Sequence, residues 1–565
     1  MTVQTHIPAF SELTYQRPNI DDLEQRFFGV LERFGGAETP AAALRAVSDL
    51  NAVRSKLNTA YTICYIRHSI DSKDEFYDAE NTWYDENLPR TGTWASSFYR
   101  TLLDSPHRPA LTDEFGPQLF RIAEASLKTF DESIIPLLQE ENKLVSNYNR
   151  LKAGAELELD GETYNLSNIL TKELDPDRAQ RRRAAGAKWG FYAAHEAEID
   201  GIFDELVRVR TSIARQLGFT DFTGLGYARM KRTDYGPAEA AGYREAIRKY
   251  FVPLAQKAYE KQRERLQLDR LTIYDEEFRF PQGNPKPQGD PQWIIARARE
   301  MYDELSDETG AFFRLLQEKE LMDVLAKDGK ATGGYCTFIP EPGVPFIFAN
   351  FNGTSGDIDV LTHEFGHAFQ VYSSRKVEPE EYIWPTYEAA EIHSMSMEFF
   401  AYPWMENFFG DRTAEYKKYH LGGTVRFLPY GVAVDEFQHR IYAEPDLSPA
   451  QRRAVWSEIE AAYLPQRDND GNTFLDGGGF WHKQSHIFAS PFYYIDYTLA
   501  QVCAFQFWQR DQKDHASAWA DYLRLCRAGG SKSFLGLVEL AGLNSPFAEA
   551  TVREVAAVVK DAMRE

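Results

Sequence analysis

A mainly α-helical fold is predicted for this 565-residue chain by three observations. Long stretches carry apolar residues at helical spacing, Pro- and Gly-rich interruptions separate them, and only one short region has paired β-type runs. From Asn19 to about Leu325 the chain is rich in Glu, Arg, Lys, Ala and Leu. One stretch places Ile199, Ile202, Phe203, Leu206, Val209 and Ile213 on one face between Glu196 and Leu217, with Gly218 as a stop. The interruptions at Asp104 to Pro117, Asp175 to Asp177, Phe280 to Pro291 and Lys327 to Gly334 read as interhelical connections. No internal repeat or low-complexity linker is present, so the helices belong to one or two compact lobes.

The β-type region is Tyr335 to Ile339 and Phe346 to Phe351, flanking Pro340-Glu341-Pro342-Gly343-Val344-Pro345. Aromatic and β-branched runs around a Pro-Gly turn predict a hairpin. Its exposed strand either pairs with an extended peptide or props the next helix.

That helix is announced by Gly353-Thr354-Ser355-Gly356-Asp357, which supplies turn and N-cap residues. It contains His363-Glu364-Phe365-Gly366-His367. Four residues apart on a helix, His363 and His367 project from one face about 6 Å apart along the axis and can share a metal ion, while Glu364 is turned by about 100°. With 12 histidines in the chain, the H-E-x-x-H pattern arises by chance in roughly one chain in fifty. Val360, Leu361, Phe365, Ala368, Val371 and Tyr372 make the helix apolar over most of its circumference, so it should be buried. Buried histidines and a glutamate are costly without partners, which favours a metal.

A tetrahedral zinc that keeps one position open for water needs a third protein ligand. A second helix, started by Pro385, offers Glu388, Glu391 and Glu398, with His393 as a further option. Glu391 stands 24 residues after His367, enough for a loop and a returning helix; spacing leaves Glu388 open beside it. The four cysteines, Cys64, Cys336, Cys503 and Cys526, have no C-x-x-C spacing, so a metal would be held by His and carboxylate. Asp359, one turn before His363, either orients its ring or is a solvated helix-terminal charge.

Phe351 to His367, together with the Glu391 helix, resembles the thimet oligopeptidase and oligoendopeptidase F family of zinc metallopeptidases. Leu206 to Gly218 and Gly226 to Tyr235 are similar to oligoendopeptidase F in particular. The likeness covers roughly residues 200 to 510. It divides the chain into an N-terminal helical lobe, residues 1–200, and a catalytic region, residues 201–565. What it implies is a two-lobed helical ellipsoid around a deep channel that admits short peptides, one zinc ion held by His363, His367 and Glu391, and Glu364 as general base.

Phe480 to Tyr497 is aromatic enough to be core, but it also resembles the family's His and Tyr-Tyr region, which makes His486, Tyr494 and Tyr497 candidate oxyanion donors. Ala489-Ser490-Pro491 replaces the family's glycines, so Tyr493 competes with Tyr494. Gly477-Gly478-Gly479 reads either as a hinge loop or as an ordinary turn. Asp468 to Asn472 lacks the glycine of an EF-hand loop and reads as a turn.

The expected activity is hydrolysis of internal bonds in short oligopeptides. The alternatives are a zinc carboxypeptidase on a related scaffold and a peptide-binding protein without turnover. A formal net charge of -22 argues against a nucleic-acid partner. Met1 to Pro18 lacks the basic and apolar segments of a secretory leader and no 18-residue stretch is free of charge, so no membrane partner and a cytoplasmic location are expected. The sequence sets no oligomeric state.

Overall fold

The helical spacing is realised along most of the chain: the computed structural model, which describes residues 7–327 and 329–564, is built of helices with two small sheets. Residues 1–6 of the segment read for a leader, and Asp328 of the 327–334 connection, lie outside the described residues. The stretch predicted from Glu196 is the helix Glu196–Gln216. It buries Ile199, Phe203, Leu206, Val209 and Ile213 and ends before Gly218, whose φ of 84° suits a residue without a Cβ.

Two expected connections differ. Asp104 to Pro117 contains a further helix, Arg108–Phe115, because Pro109 sits where a first turn tolerates it and Leu111 and Phe115 supply a buried face. Residues 327–334 join two strands rather than two helices, since Met322–Leu325 is a strand parallel to Val344–Phe351. The antiparallel partner Tyr335–Ile339 completes the expected hairpin, with Val344–Phe351 as the central strand. Lys330 ties this sheet: its fully buried ammonium donates to the carbonyls of Asp323 (3.0 Å), Leu325 (2.9 Å) and Ala349 (2.6 Å) and pairs with the Asp323 carboxylate at 2.5 Å.

The chain forms two compact units, each assembled from separate stretches. The first comprises Met1–Phe130, Lys286–Thr413 and Phe507–Leu543; the second comprises Asp131–Pro285, Ala414–Gln506 and Asn544–Glu565. The boundary expected near residue 200 falls inside the helix Glu196–Gln216, and the first 130 residues share a unit with the H-E-x-x-H pentapeptide. Specific bonds make that membership physical. Arg54 pairs with Glu381 at 2.6 Å, and the Tyr382 hydroxyl donates to the Phe115 carbonyl and accepts from the Leu119 amide, both at 2.7 Å. These anchors hold the loop that follows the pentapeptide helix.

In the first unit the pentapeptide helix, Gly356–Ser374, packs against the sheet and against the helices Pro291–Leu305, Asp307–Glu318 and His515–Ala528. Phe365 stacks on Tyr302 with ring centroids 3.6 Å apart, and Phe369 faces Phe312 and Trp519. Burying each such ring contributes about 1.5–3 kcal/mol, which sets the helix rigidly enough to carry a site. In the second unit, fully buried Arg210 gathers Glu141 (2.6 Å), the Tyr442 hydroxyl (2.9 Å) and the carbonyls of Ile487 (3.2 Å) and Phe488. No helix of the described residues is long and apolar enough to cross a membrane.

Candidate metal centre and tyrosine cluster

The pentapeptide helix begins where the turn residues predict, though its cap is not the side chain of Ser355. Asp357 reaches back instead and accepts from the amides of Asn352 and Gly353, each at 2.8 Å, satisfying the tight turn before the helix. About two and three turns along the helix, His363 and His367 present rings 4.9 Å apart and nearly perpendicular. The returning helix, Tyr387–Phe400, supplies Glu391. Its Oε2 lies 3.3 Å from His363 Nε2 and 3.5 Å from His367 Nε2, and the three ligand atoms lie within 4.8 Å of one another.

Among the described residues this is the one group of His, Cys, Asp or Glu side chains with such convergence. Glu388 and His393 are not in it. The His393 ring meets the Ala389 carbonyl at 2.8 Å, burial drives its pKa down to about 4, and it is a neutral core histidine. Glu391 is steadied by the Ser394 hydroxyl at 2.9 Å. Burial works against the charge of Glu391, but His363 and His367 overcome it and hold the carboxyl well below its ordinary range. Burial likewise lowers His363, while Glu391 and Glu398 raise it further. Two imidazoles and a buried carboxylate oxygen pointing at one spot form a donor set that a divalent cation completes.

The second nitrogen of His363 settles which acid orients it. Nδ1 donates to Glu398 Oε1 at 2.7 Å, so the ring's nitrogens face Glu391 and Glu398, and the reading of Asp359 as the acid that orients this ring gives way to Glu398. Glu398 is seven residues after Glu391, two turns on the same helix, so one helix provides both carboxylates.

The close approach of the two helices depends on Gly366. A Cβ there would fall 2.7 Å from both the His393 carbonyl oxygen and Ser394 Cα, inside contact distance. Glu364, one position after His363, is 7% exposed. Burial pushes its carboxyl upward against the opposing pull of His363 and His367, and its Oε2 has no hydrogen-bond partner among the described residues. A carboxylate so placed is an available proton acceptor. The edge strand Tyr335–Ile339 runs beside it: a Cβ on neighbouring Gly334 would lie 3.6 Å from Glu364 Oε1.

The other candidates gather in the second unit. His486, Tyr493, Tyr494 and Tyr497 are half-buried, with His486 centroids 5.7, 4.9 and 5.7 Å from the three tyrosine rings respectively. Tyr497 Oη lies 3.4 Å from His486 Nε2. Phe427 and Tyr430 wall the group against Tyr494. The backbone entering this cluster is held unusually: Phe492 has φ 68°, a left-handed conformation costing a bulky residue about 1–3 kcal/mol. Its amide donates to Gln438 Oε1 at 2.9 Å, and buried Arg232 donates to its carbonyl and to Asp496, both at 2.6 Å. Gly226 makes room, since a Cβ there would meet the Phe492 ring at 2.5 Å. Upstream, Gly477 to Gly479 form a packed turn, with a Gly478 Cβ position only 2.2 Å from the Arg453 carbonyl. Asp468 to Asn472 also form a turn, in which Arg270 and Arg182 pair with Asp468 and Asp470.

Comparison with known proteins decides the lineage. Residues 172–557 match the model described as Peptidase family M3, and residues 10–130 match the Peptidase M3 N-terminal domain. The chain belongs to peptidase family M3. Its similarity to oligopeptidase PepF of Bacillus subtilis (strain 168) is 21% identity over 545 residues, covering 88% of this chain and 77% of that protein. Among solved M3-like structures, PZ peptidase A with an inhibitor is 51% identical with TM-score 0.96 over 98% of this chain and 99% of that one. A structure assigned as oligoendopeptidase F from Bacillus anthracis str. Ames is 47% identical with TM-score 0.91 over 98% of both chains. The resemblance read from the pentapeptide and the Glu391 helix is therefore that of the M3 peptidases, and the mainly helical fold with its small sheets is theirs.

Sequence reading missed three parts of this M3 peptidase. The N-terminal M3 domain carries no chemical motif. Glu398 was read as a candidate metal ligand, not as the partner of His363 Nδ1. Arg232 and Gln484 hold the tyrosine cluster through bonds to Phe492 and Tyr430, residues far from them in the chain.

Proposed function

We propose that this peptidase is a zinc-dependent endopeptidase of short oligopeptides, with one zinc ion per chain. The observation that carries the reading is the convergence of His363, His367 and Glu391 beside the buried, unpartnered Oε2 of Glu364. Two nitrogen donors and one carboxylate suit zinc and leave a ligand position open. A zinc ion bound there supplies positive charge that lowers the pKa of a water from about 15.7 toward 7 and polarises an amide carbonyl.

The chain's own residues do the rest. Glu364 takes the proton of the attacking water and later delivers it to the leaving amine, acting first as general base and then as general acid. Glu398 keeps the His363 ring turned so that Nε2 faces Glu391. His486, Tyr494 and Tyr497 are assigned to the oxyanion, where one donor is typically worth about 2.7–4 kcal/mol of barrier. The preference for short peptides and for internal bonds is supported by the likeness to proteins named oligopeptidase and oligoendopeptidase. The four cysteines are free thiols, which suits a reducing cytoplasm.

Zinc stoichiometry tests the ligand set. Wild type should hold one zinc per chain and Glu391→Ala should lose it; full occupancy in that variant would move the third ligand elsewhere. His486→Ala should lower kcat about 100-fold, and unchanged turnover of a quenched-fluorescence peptide would remove His486 from the oxyanion.

A further inference from the structure

Gln484 occupies the centre of the tyrosine cluster without having been singled out by any sequence pattern. The residue is buried, 9% exposed, and its amide meets Tyr430 and His486. The Tyr430 hydroxyl donates to Gln484 Oε1 at 2.7 Å. Gln484 Nε2 stands 2.8 Å from His486 Nδ1. Burial raises the pKa of the neighbouring Tyr494 hydroxyl, and the Gln484 amide works in the opposite direction. A primary amide has one carbonyl acceptor and an NH2 with two hydrogens. Here the Tyr430 hydroxyl meets the carbonyl and His486 Nδ1 meets the NH2.

We propose that Gln484 is a positioning residue that fixes His486 in the Nε2–H tautomer. With an N–H of Gln484 pointing at Nδ1, that nitrogen must keep its lone pair, so the single proton of the neutral ring sits on Nε2. Nε2 faces the Tyr497 hydroxyl at 3.4 Å, a long contact. The same arrangement opposes the imidazolium, because a second proton on Nδ1 would face the Gln484 NH2. Gln484 selects the tautomer, and the tautomer makes Nε2 a donor rather than an acceptor.

The inference rests on the reading of His486 as an oxyanion donor for its catalytic meaning, but its test does not. In native protein labelled with 15N-histidine, the His486 signals, assigned by their loss in His486→Gln, should report a protonated Nε2 and an unprotonated Nδ1. A protonated Nδ1 would overturn the proposal, and this native spectrum needs no variant at position 484 to fold. In Gln484→Glu the carboxylate calls for a proton on Nδ1, so the spectrum should shift to an Nδ1-protonated ring and kcat should fall about 100-fold with KM nearly unchanged. Gln484→Glu with the native His486 spectrum would contradict it, as would native kcat in that variant when His486→Ala is impaired. Failure of the donor reading would appear as full activity in His486→Ala, whatever the spectrum shows.

Discussion

Glu364 holds a carboxylate where burial disfavours one, and that sets two outcomes for a single substitution. Glu364→Gln should bind zinc normally and lose about 10²–10⁴ in kcat; native turnover would exclude it as the base. The second outcome concerns the metal-free protein. A carboxyl raised by burial keeps its proton better folded than unfolded, so its contribution to stability is full below the unfolded pKa and is lost as pH rises through the folded pKa. At pH 7 the neutral isostere removes that penalty, so metal-free Glu364→Gln should melt at a higher temperature than metal-free wild type; a lower melting temperature would show that the ionised form is not penalised. Glu398→Gln tests the orientation of His363: zinc affinity should fall about 10- to 100-fold in a competition titration, whereas Asp359→Asn should leave it near the wild-type value.

The pentapeptide helix, the hairpin before it and the Glu391 helix were all legible in the sequence, because each is fixed by local signals: apolar periodicity, a Pro-Gly turn and Pro385. Beyond the meeting of Glu391 with His363 and His367, which the resemblance implied, contacts between elements were not legible. Asp359 was the natural partner for His363 on a single helix, yet the crossing of two helices brings Glu398 to Nδ1 at 2.7 Å. The strand Met322–Leu325 was hidden because its pairing is parallel and its staple, Lys330, is a residue type that normally stays in water. The crossing itself makes a prediction. Glycine to alanine in a helix usually stabilises, but Gly366→Ala should destabilise by about 1–3 kcal/mol, through overpacking against His393 and Ser394. It should weaken zinc binding as well, and a variant equal or superior to wild type in both would mean that the helices do not meet as closely as described.

At the scale of the whole chain, the first unit cannot be cut from one stretch of sequence. Residues 1–130, 286–413 and 507–543 all belong to it, and Arg54, Phe115 and Leu119 hold the loop between the helices that carry His363, His367 and Glu391. A division at residue 200 follows the motifs, which cluster downstream, but not the packing. A fragment of residues 201–565 should therefore fail to fold and bind zinc, as read by circular dichroism and metal analysis; a folded, zinc-loaded fragment would refute the shared unit. The central claim is zinc-dependent cleavage of internal bonds, and mass spectrometry of a mixed peptide library after incubation with the protein tests it most directly. Internal fragments of short peptides should accumulate, vanish with a chelator and return with added zinc. Residues released singly from C-termini, or products undiminished by the chelator, would contradict it.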